Sequence, residues 1–72
     1  MERSDMNVGE MKLGVLRISL LGARIGTTVQ IHLVEDYSLD LSWVTYEIII
    51  PGVGVYRLPH KNALPRYVEI LE

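Results

Sequence analysis

One segment, residues 41–50, restricts the possible folds of this chain more than any other. It reads LSWVTYEIII, it is the longest apolar and β-branched run, and Pro51 and Gly52 end it. Successive residues of a β-strand point to opposite faces. One face then holds an unbroken apolar row, which is Val44, Tyr46, Ile48 and Ile50. The other face holds Trp43, Thr45, Glu47 and Ile49. Because both faces include large apolar residues, the pattern predicts a strand that lies centrally in its sheet or has its second face covered.

Four more segments have the two-residue period of strands. The predicted strands span residues 12–21, 27–35, 41–50, 55–58 and 66–71, with turns rich in glycine, aspartate and proline between them. This spacing predicts an all-β domain of about five antiparallel strands, either a small half-jelly-roll-like β-sandwich or a small β-barrel. We expect residues 1–11 to form a polar N-terminal tail and residues 12–72 to form the single domain.

The inward rows of these strands define the expected hydrophobic core. Gly14 interrupts the first strand and marks a bulge or a close approach of two backbones. Gly22 and Gly26 bracket a turn that is typical of a tight hairpin connection. The expected core consists of aliphatic and tyrosine side chains: Leu16, Ile18, Leu20, Val29, Ile31, Leu33, Val44, Tyr46, Ile48, Ile50, Tyr56, Leu58, Val68 and Ile70.

Length and composition narrow the ways in which this domain is stabilised. A chain of 72 residues buries a small core, and its lack of cysteine excludes disulfides. Two histidines without cysteine argue against a structural zinc site. Oligomerisation is the remaining stabilising device, and a hydrophobic content of 49% is consistent with it.

Charge and hydropathy bear on the partner and the compartment. A net charge of −2 disfavours nucleic acid, which requires a basic surface. The polar start lacks the apolar core of a secretory signal, and no apolar run reaches the length of a membrane span. With no cysteine to oxidise, we expect a soluble cytoplasmic protein that has no membrane partner.

The acidic run at residues 35–40, which includes the predicted turn at residues 36–40, invites comparison with a calcium-binding loop. Asp36, Ser38 and Asp40 fall at the first, third and fifth places of an EF-hand loop, and Glu47 falls at the twelfth. Leu41 stands where that loop requires glycine, and strands rather than helices flank it. The EF-hand match is therefore accidental. A looser calcium site that uses Asp36 and Asp40 remains an alternative, since calcium accepts flexible oxygen ligands.

Other reactive side chains lack the partners that chemistry requires. His32 is expected on an outward strand position and His60 in a loop, and neither has a predicted metal or acid–base partner. Nucleophile-elbow and phosphate-loop motifs are absent from the sequence. We therefore predict a protein that is not an enzyme, with no catalytic residue, no metal ligand and no cofactor.

The order of strands and turns gives one resemblance. Trp43 lies off the apolar row of its strand, where it stacks on a sugar, a base or a partner, or else closes one end of the core. Along residues 15 to 71, approximately, the order of segments is LRISLL, a glycine turn, TTVQIHLVE, the Trp-bearing strand, PGVGVYRLP and RYVEIL. This order resembles half of a carbohydrate-binding β-sandwich of the galactose-binding type, whose complete module is about twice as long. The resemblance implies sugar binding as an alternative function.

The sequence favours a protein-interaction module over these alternatives. We expect a non-enzymatic assembly module that self-associates or docks on a partner protein through Trp43, Thr45, Glu47 and Ile49. A carbohydrate-binding sandwich is the first alternative, and a small nucleic-acid-binding barrel is the second. Two candidates exist for covering the outward face of residues 41–50: the N-terminal segment and another subunit. The subunit is favoured, because a symmetric dimer buries one patch against its own copy.

Overall fold

The fold is a single antiparallel sheet. The computed structural model describes residues 6–37 and 43–71, without the side chains of Trp43 and Lys61. The strands are β1 (Met11–Leu16), β2 (Thr28–Tyr37), β3 (Trp43–Ile50), β4 (Gly54–Leu58) and β5 (Val68–Ile70). A 3₁₀ turn (Lys61–Ala63) and a single helical turn, α1 (Leu64–Tyr67), precede β5. The sheet order is β4-β3-β2-β1-β5. The predicted five antiparallel strands are confirmed, in one sheet that is not closed.

The two faces of the sheet differ in burial, as the alternation in β2 shows. Val29, Ile31 and Leu33 are buried, whereas Thr28 and Gln30 are exposed. We call the buried side the inner face and the opposite side the outer face. Every buried side chain among the described residues is hydrophobic. The buried set is Met6, Leu16, Leu20, Ala23, Val29, Ile31, Leu33, Val44, Tyr46, Ile48, Ile50, Leu58, Leu64 and Val68.

Most of the predicted core is confirmed, and its exceptions are local. Tyr56 and Ile70 are only partly buried against the core. Ile18 was expected to point inward, and that prediction is wrong, because its side chain is 37% exposed. Three contributors were not predicted: Met6, Ala23 and Leu64. Met6 belongs to the segment predicted as a polar tail, and Gly9 in that segment donates a backbone hydrogen bond to Leu33 over 2.7 Å.

The first strand is shorter than predicted, because the chain leaves the sheet after Leu16. The amide of Gly26 donates to the Leu16 carbonyl over 2.8 Å, which closes a loop from residue 17 to residue 27. Within that loop Leu20 and Ala23 exchange two backbone hydrogen bonds, at 3.0 and 2.9 Å. The apolar alternation of residues 16, 18 and 20 therefore begins in a strand and ends in a hairpin. Leu20 is buried, although it belongs to the hairpin and not to β1.

Two other strand boundaries also differ from the predicted ones, at segments where the chain bends. β2 extends to Tyr37, two residues into the predicted acidic turn. β5 begins at Val68 rather than at residue 66, because α1 occupies the preceding residues, with Pro65 in its first turn. The missing amide of proline is tolerated at a helix start, which explains why a helical turn forms there.

Close packing joins β1 to β5, and an aromatic pair joins β4 to the segment before β5. A Cβ at Gly14 would lie 2.6 Å from Cδ1 of Ile31 and 2.8 Å from the Glu69 carbonyl oxygen, so Gly14 is the predicted close-approach point. Tyr56 of β4 stacks on Tyr67, with ring centroids 5.6 Å apart. A side-chain hydrogen bond to Tyr67, the charge of Tyr67 and burial raise the pKa of Tyr56 above its usual value.

Candidate functional site

A charged row crosses the outer face of three adjacent strands. Glu47 of β3 lies directly opposite His32 of β2 and Arg57 of β4. His32 Nδ1 is 3.6 Å from Glu47 Oε1, and Arg57 Nε is 3.4 Å from Glu47 Oε2. The Arg57 side chain is 77% exposed. The Glu47 side chain is 22% exposed and the His32 side chain 31% exposed, so the row is partly shielded from solvent at its centre and open to solvent at Arg57.

A groove lies beside the charged row at one end of the outer face. It has a volume of about 540 Å³ and is open to solvent on one side. Val34 and Glu35 of β2, Thr45 and Glu47 of β3, and Arg57 line it, and the groove extends to Leu58 and Pro59. We call this the outer groove. Its volume falls within the range of about 300–1,000 Å³ that is usual for binding pockets.

An irregularity in β2 shapes the outer groove. The pairing of β2 with β3 shifts between Leu33 and Glu35, so that Glu35 rather than Val34 lies opposite Thr45. Such a bulge re-aims the side chains next to it. The Thr45 hydroxyl donates to Glu35 Oε1 over 3.4 Å. Glu35 and Glu47 thus flank Thr45, and with Arg57 the groove lining carries two carboxylates and one guanidinium group.

An interrupted apolar row runs across the outer face next to the charged row. Ile49 of β3 pairs with Val55 of β4 on one side and with Gln30 of β2 on the other. Gln30 in turn pairs with Leu13, whose carbonyl accepts a 3.0 Å hydrogen bond from the Leu71 amide. The exposed fractions are 47% for Leu13, 50% for Val55 and 54% for Leu71. Gln30 divides this row into a β3–β4 side and a β1–β5 side.

The structure brings together two of the four predicted interface residues. Thr45 and Glu47 both line the outer groove, and Ile49 lies beside it in the next row. The backbone of Trp43 pairs with Tyr37, but its side chain lies outside the described residues. Its predicted role in stacking on a sugar, a base or a partner therefore stays a prediction.

Two charged groove residues, Arg57 and Glu35, were not predicted as site residues, and Arg57 left a signal in the sequence. Glu47 and Arg57 lie at equal distances from the short Pro51–Val53 turn, where Ile50 pairs with Gly54. Opposite charges at equal distances from a tight turn are expected to face each other across a hairpin. The position of Glu35 depends on the β2 irregularity, which has no comparable signature in the sequence.

The predicted metal candidates lie only partly within the described residues. Residues 6–37 and 43–71 contain no group of three or more histidine, aspartate or glutamate residues that is placed to hold a metal ion. Asp36 lies in β2 opposite Val44. Ser38, Asp40 and Leu41 of the calcium-loop comparison lie outside the described residues, so the looser calcium site stays a prediction.

Comparisons with known proteins assign no family to this chain. No protein-family model, curated protein or solved structure matches it. In the described part of the chain, none of the helical segments is long and apolar enough to cross a membrane.

Proposed function

We propose that this protein is a non-enzymatic assembly module whose outer groove and neighbouring β3–β4 surface bind a second copy of the same chain. The observation that supports this most strongly is the unequal covering of β3. Its inner residues Val44, Tyr46, Ile48 and Ile50 are at most 4% exposed. Its outer residues Thr45, Glu47 and Ile49 remain partly exposed. An apolar residue such as Ile49 gains about 25 cal/mol for each Å² that a partner removes from water.

The path of the N-terminal segment supports a partner rather than an internal cover. Residues 6–10 run beside the end of β2, where the Leu33 amide donates to the Glu10 carbonyl over 3.2 Å. Met6 is directed into the core, where it is 7% exposed. The described part of this segment is therefore engaged away from the outer surface of β3. Of the two expected covers, the second subunit is better supported.

The charges around the groove favour a second copy as this partner. The groove lining holds two carboxylates, Glu35 and Glu47, and one guanidinium group, Arg57, which pairs with Glu47. The lining therefore has an excess of one negative charge, and exposed arginines elsewhere on the same chain provide the opposite charge. Self-association needs both halves of a contact on one molecule. Opposite charges across such a contact mainly set partner choice and orientation, while the buried apolar area supplies most of the affinity. Carbohydrate and nucleic acid remain alternatives without a supporting observation of their own.

The test of this function is sedimentation at several concentrations, with an arginine placed in the groove. Thr45→Arg fills the groove and meets Glu35 and Glu47, so it should weaken self-association at least tenfold without unfolding the chain. Leu71→Arg is the matched control, because it places the same charge at an exposed position on the β1–β5 side. Wild-type protein that stays monomeric at millimolar concentration would contradict the proposal. Equal effects of the two substitutions would also contradict it.

A second substitution tests the apolar side of the same surface. Ile49→Lys places a charge beside Val55 and next to the outer groove. We expect a monomer, or an insoluble chain if β3 no longer packs. Circular dichroism separates these outcomes, because the monomer keeps the wild-type spectrum. A soluble Ile49→Lys protein that associates like the wild type would remove Ile49 from the interface.

The open sheet is proposed to be an incompletely closed small barrel rather than one layer of a sandwich. The support is the stacking of Tyr56 from edge strand β4 on Tyr67, which directly precedes edge strand β5. Contact between the two ends of the sheet requires strong curvature around the inner face. Side chains rather than strand hydrogen bonds then span the remaining gap.

A further inference from the structure

The Leu20–Ala23 hairpin presents a bulky apolar residue where folding alone favours a small or polar one. Leu21 has φ +51° and Gly22 has φ +88°, which are the signs required by a two-residue type I′ turn. Asparagine, aspartate and glycine are the usual residues at such positions. Leu21 is the only non-glycine residue with positive φ in residues 6–37 and 43–71, and its side chain is 51% exposed. A strained and exposed leucine points to a role outside the fold.

The surroundings of Leu21 make the hairpin an apolar and basic surface. Ile25 is 67% exposed, and Ile18 is 37% exposed. Residues 17–27 contain Arg17 and Arg24 and no acidic residue. Arg17 donates to the Pro65 carbonyl over 2.9 Å, while the exposed Arg24 lies nearer the hairpin tip.

The hairpin is also firmly held, which suits a docking element. Leu20 and Ala23, the residues that close the turn, are 8% and 9% exposed and belong to the core. Leu21 is therefore presented from a fixed base, so little conformational entropy is lost when a partner binds it.

We infer that the Leu20–Ala23 hairpin of one copy docks into the outer groove of the next copy, with Leu21 against the apolar part of the groove and Arg24 near Glu35 and Glu47. The inference rests on the proposed self-association and names the element that fills the groove. The charges are complementary, since the groove lining holds two carboxylates against the single guanidinium group of Arg57, and the hairpin loop is basic. Val34 and Pro59 provide apolar surface for Leu21.

The positions of hairpin and groove determine the kind of assembly. The hairpin precedes Thr28 at the start of β2, whereas Val34 and Glu35 lie near its end. At about 3.3 Å per residue, these two ends of β2 are roughly 20 Å apart. Each chain therefore offers a hairpin at one end of the sheet and a groove at the other. Contacts of this kind are head-to-tail. Repeated in one direction they generate an open chain or a closed ring, and the symmetric dimer expected from the sequence would have to hold two such contacts at once.

A mixing experiment tests this arrangement. Leu21→Asp removes the apolar tip, opposes the excess negative charge of the groove lining, and places at a positive φ a residue that tolerates it better. Thr45→Arg blocks the groove. Each variant alone should self-associate at least tenfold more weakly than the wild type, and should be monomeric at concentrations where the wild type associates. A 1:1 mixture should form a discrete heterodimer, because one intact hairpin and one intact groove remain.

Leu71→Asp is the control for this experiment. Its site has an exposure similar to that of Leu21, and the variant should associate like the wild type. If Leu21→Asp associates like the wild type while Thr45→Arg does not, the groove is an interface but the hairpin is not its occupant. If both variants are monomeric and their mixture stays monomeric, the head-to-tail arrangement is wrong. A wild-type chain that never associates would refute the proposed function itself.

Discussion

The inner and outer faces belong to the same five strands, yet folding buries the side chains of the inner face and leaves many on the outer face partly exposed. On the inner face Leu16, Ile31, Leu33, Ile48 and Ile50 are all less than 2% exposed. On the outer face Leu13, Val55 and Leu71 stay about half exposed, and charged side chains lie beside them. Burial within the chain therefore accounts for the apolar residues of the inner face, but only in part for those of the outer face. Substitutions inside should change stability, and substitutions outside should change association.

The largest expected effect is the difference in stability between substitutions at two neighbouring residues of β2. Ile31→Ala removes a fully buried side chain, so it should lower the free energy of unfolding by about 2–5 kcal/mol. Gln30→Ala, one residue away on the outer face, should change it by less than about 0.5 kcal/mol. Urea unfolding of both variants provides the measurement. A loss below about 1 kcal/mol for Ile31→Ala would overturn the assignment of faces.

A second substitution tests how tightly β1 and β5 are packed. Gly14→Ala places a Cβ 2.8 Å from the Glu69 carbonyl oxygen, and backbone cannot move away cheaply. We expect a loss of roughly 1–3 kcal/mol, as for other overpacked sites. Leu13→Ala, the adjacent outer residue, serves as the control and should cost less. Thermal melts that show no loss for Gly14→Ala would mean that β5 docks more loosely on β1.

A third substitution separates folding from binding at the hairpin. A left-handed backbone costs a residue such as leucine about 1–2 kcal/mol, and glycine avoids this at a smaller entropic cost. Leu21→Gly should therefore raise the free energy of unfolding by up to about 1 kcal/mol while weakening self-association. Chemical denaturation and sedimentation of the same sample measure both. A stabilised variant that still associates normally would limit Leu21 to a local role.

The smallest effect concerns Tyr56, which lies in edge strand β4 and is partly buried against the core. Its raised pKa means that the folded chain keeps the tyrosine proton to a higher pH than the unfolded chain does. Stability is thus present below the ordinary tyrosine pKa of about 10 and declines as pH rises above it. Tyr56→Phe should flatten this alkaline decline. Melting temperatures between about pH 8 and 11 measure the two slopes, and equal slopes would exclude this coupling to Tyr67.

Much of the fold was predictable because it is local. The β1-to-β4 order follows from short connections between neighbouring strands, and the inner face follows from strict alternation. The pairing of β5 with β1 joins distant parts of the chain, and no local pattern specifies it. The apolar alternation also continues through Ile18 and Leu20, so a strand was predicted where the chain forms a hairpin. A four-residue helix such as α1 is too short to show a helical period.

The candidate site was predictable only within one strand. Alternation placed Thr45, Glu47 and Ile49 on the outer face together, as the structure does. Glu35 and Arg57 join them through cross-strand register, which depends on the β2 irregularity and on the exact turn. Alternation along one strand does not reveal these two residues. Arg57 is found only by counting both strands outward from the turn, and Glu35 leaves no comparable signal.

The most direct test of the central claim is a residue-by-residue map of self-association. Amide chemical shifts of the isotope-labelled wild-type chain are followed by nuclear magnetic resonance from micromolar to millimolar concentration. The account predicts concentration-dependent shifts at Glu35, Thr45, Glu47 and Arg57, and in the hairpin around Leu21, with little change near Leu71. Shifts confined to β1 and β5, or spectra that do not change with concentration, would contradict it.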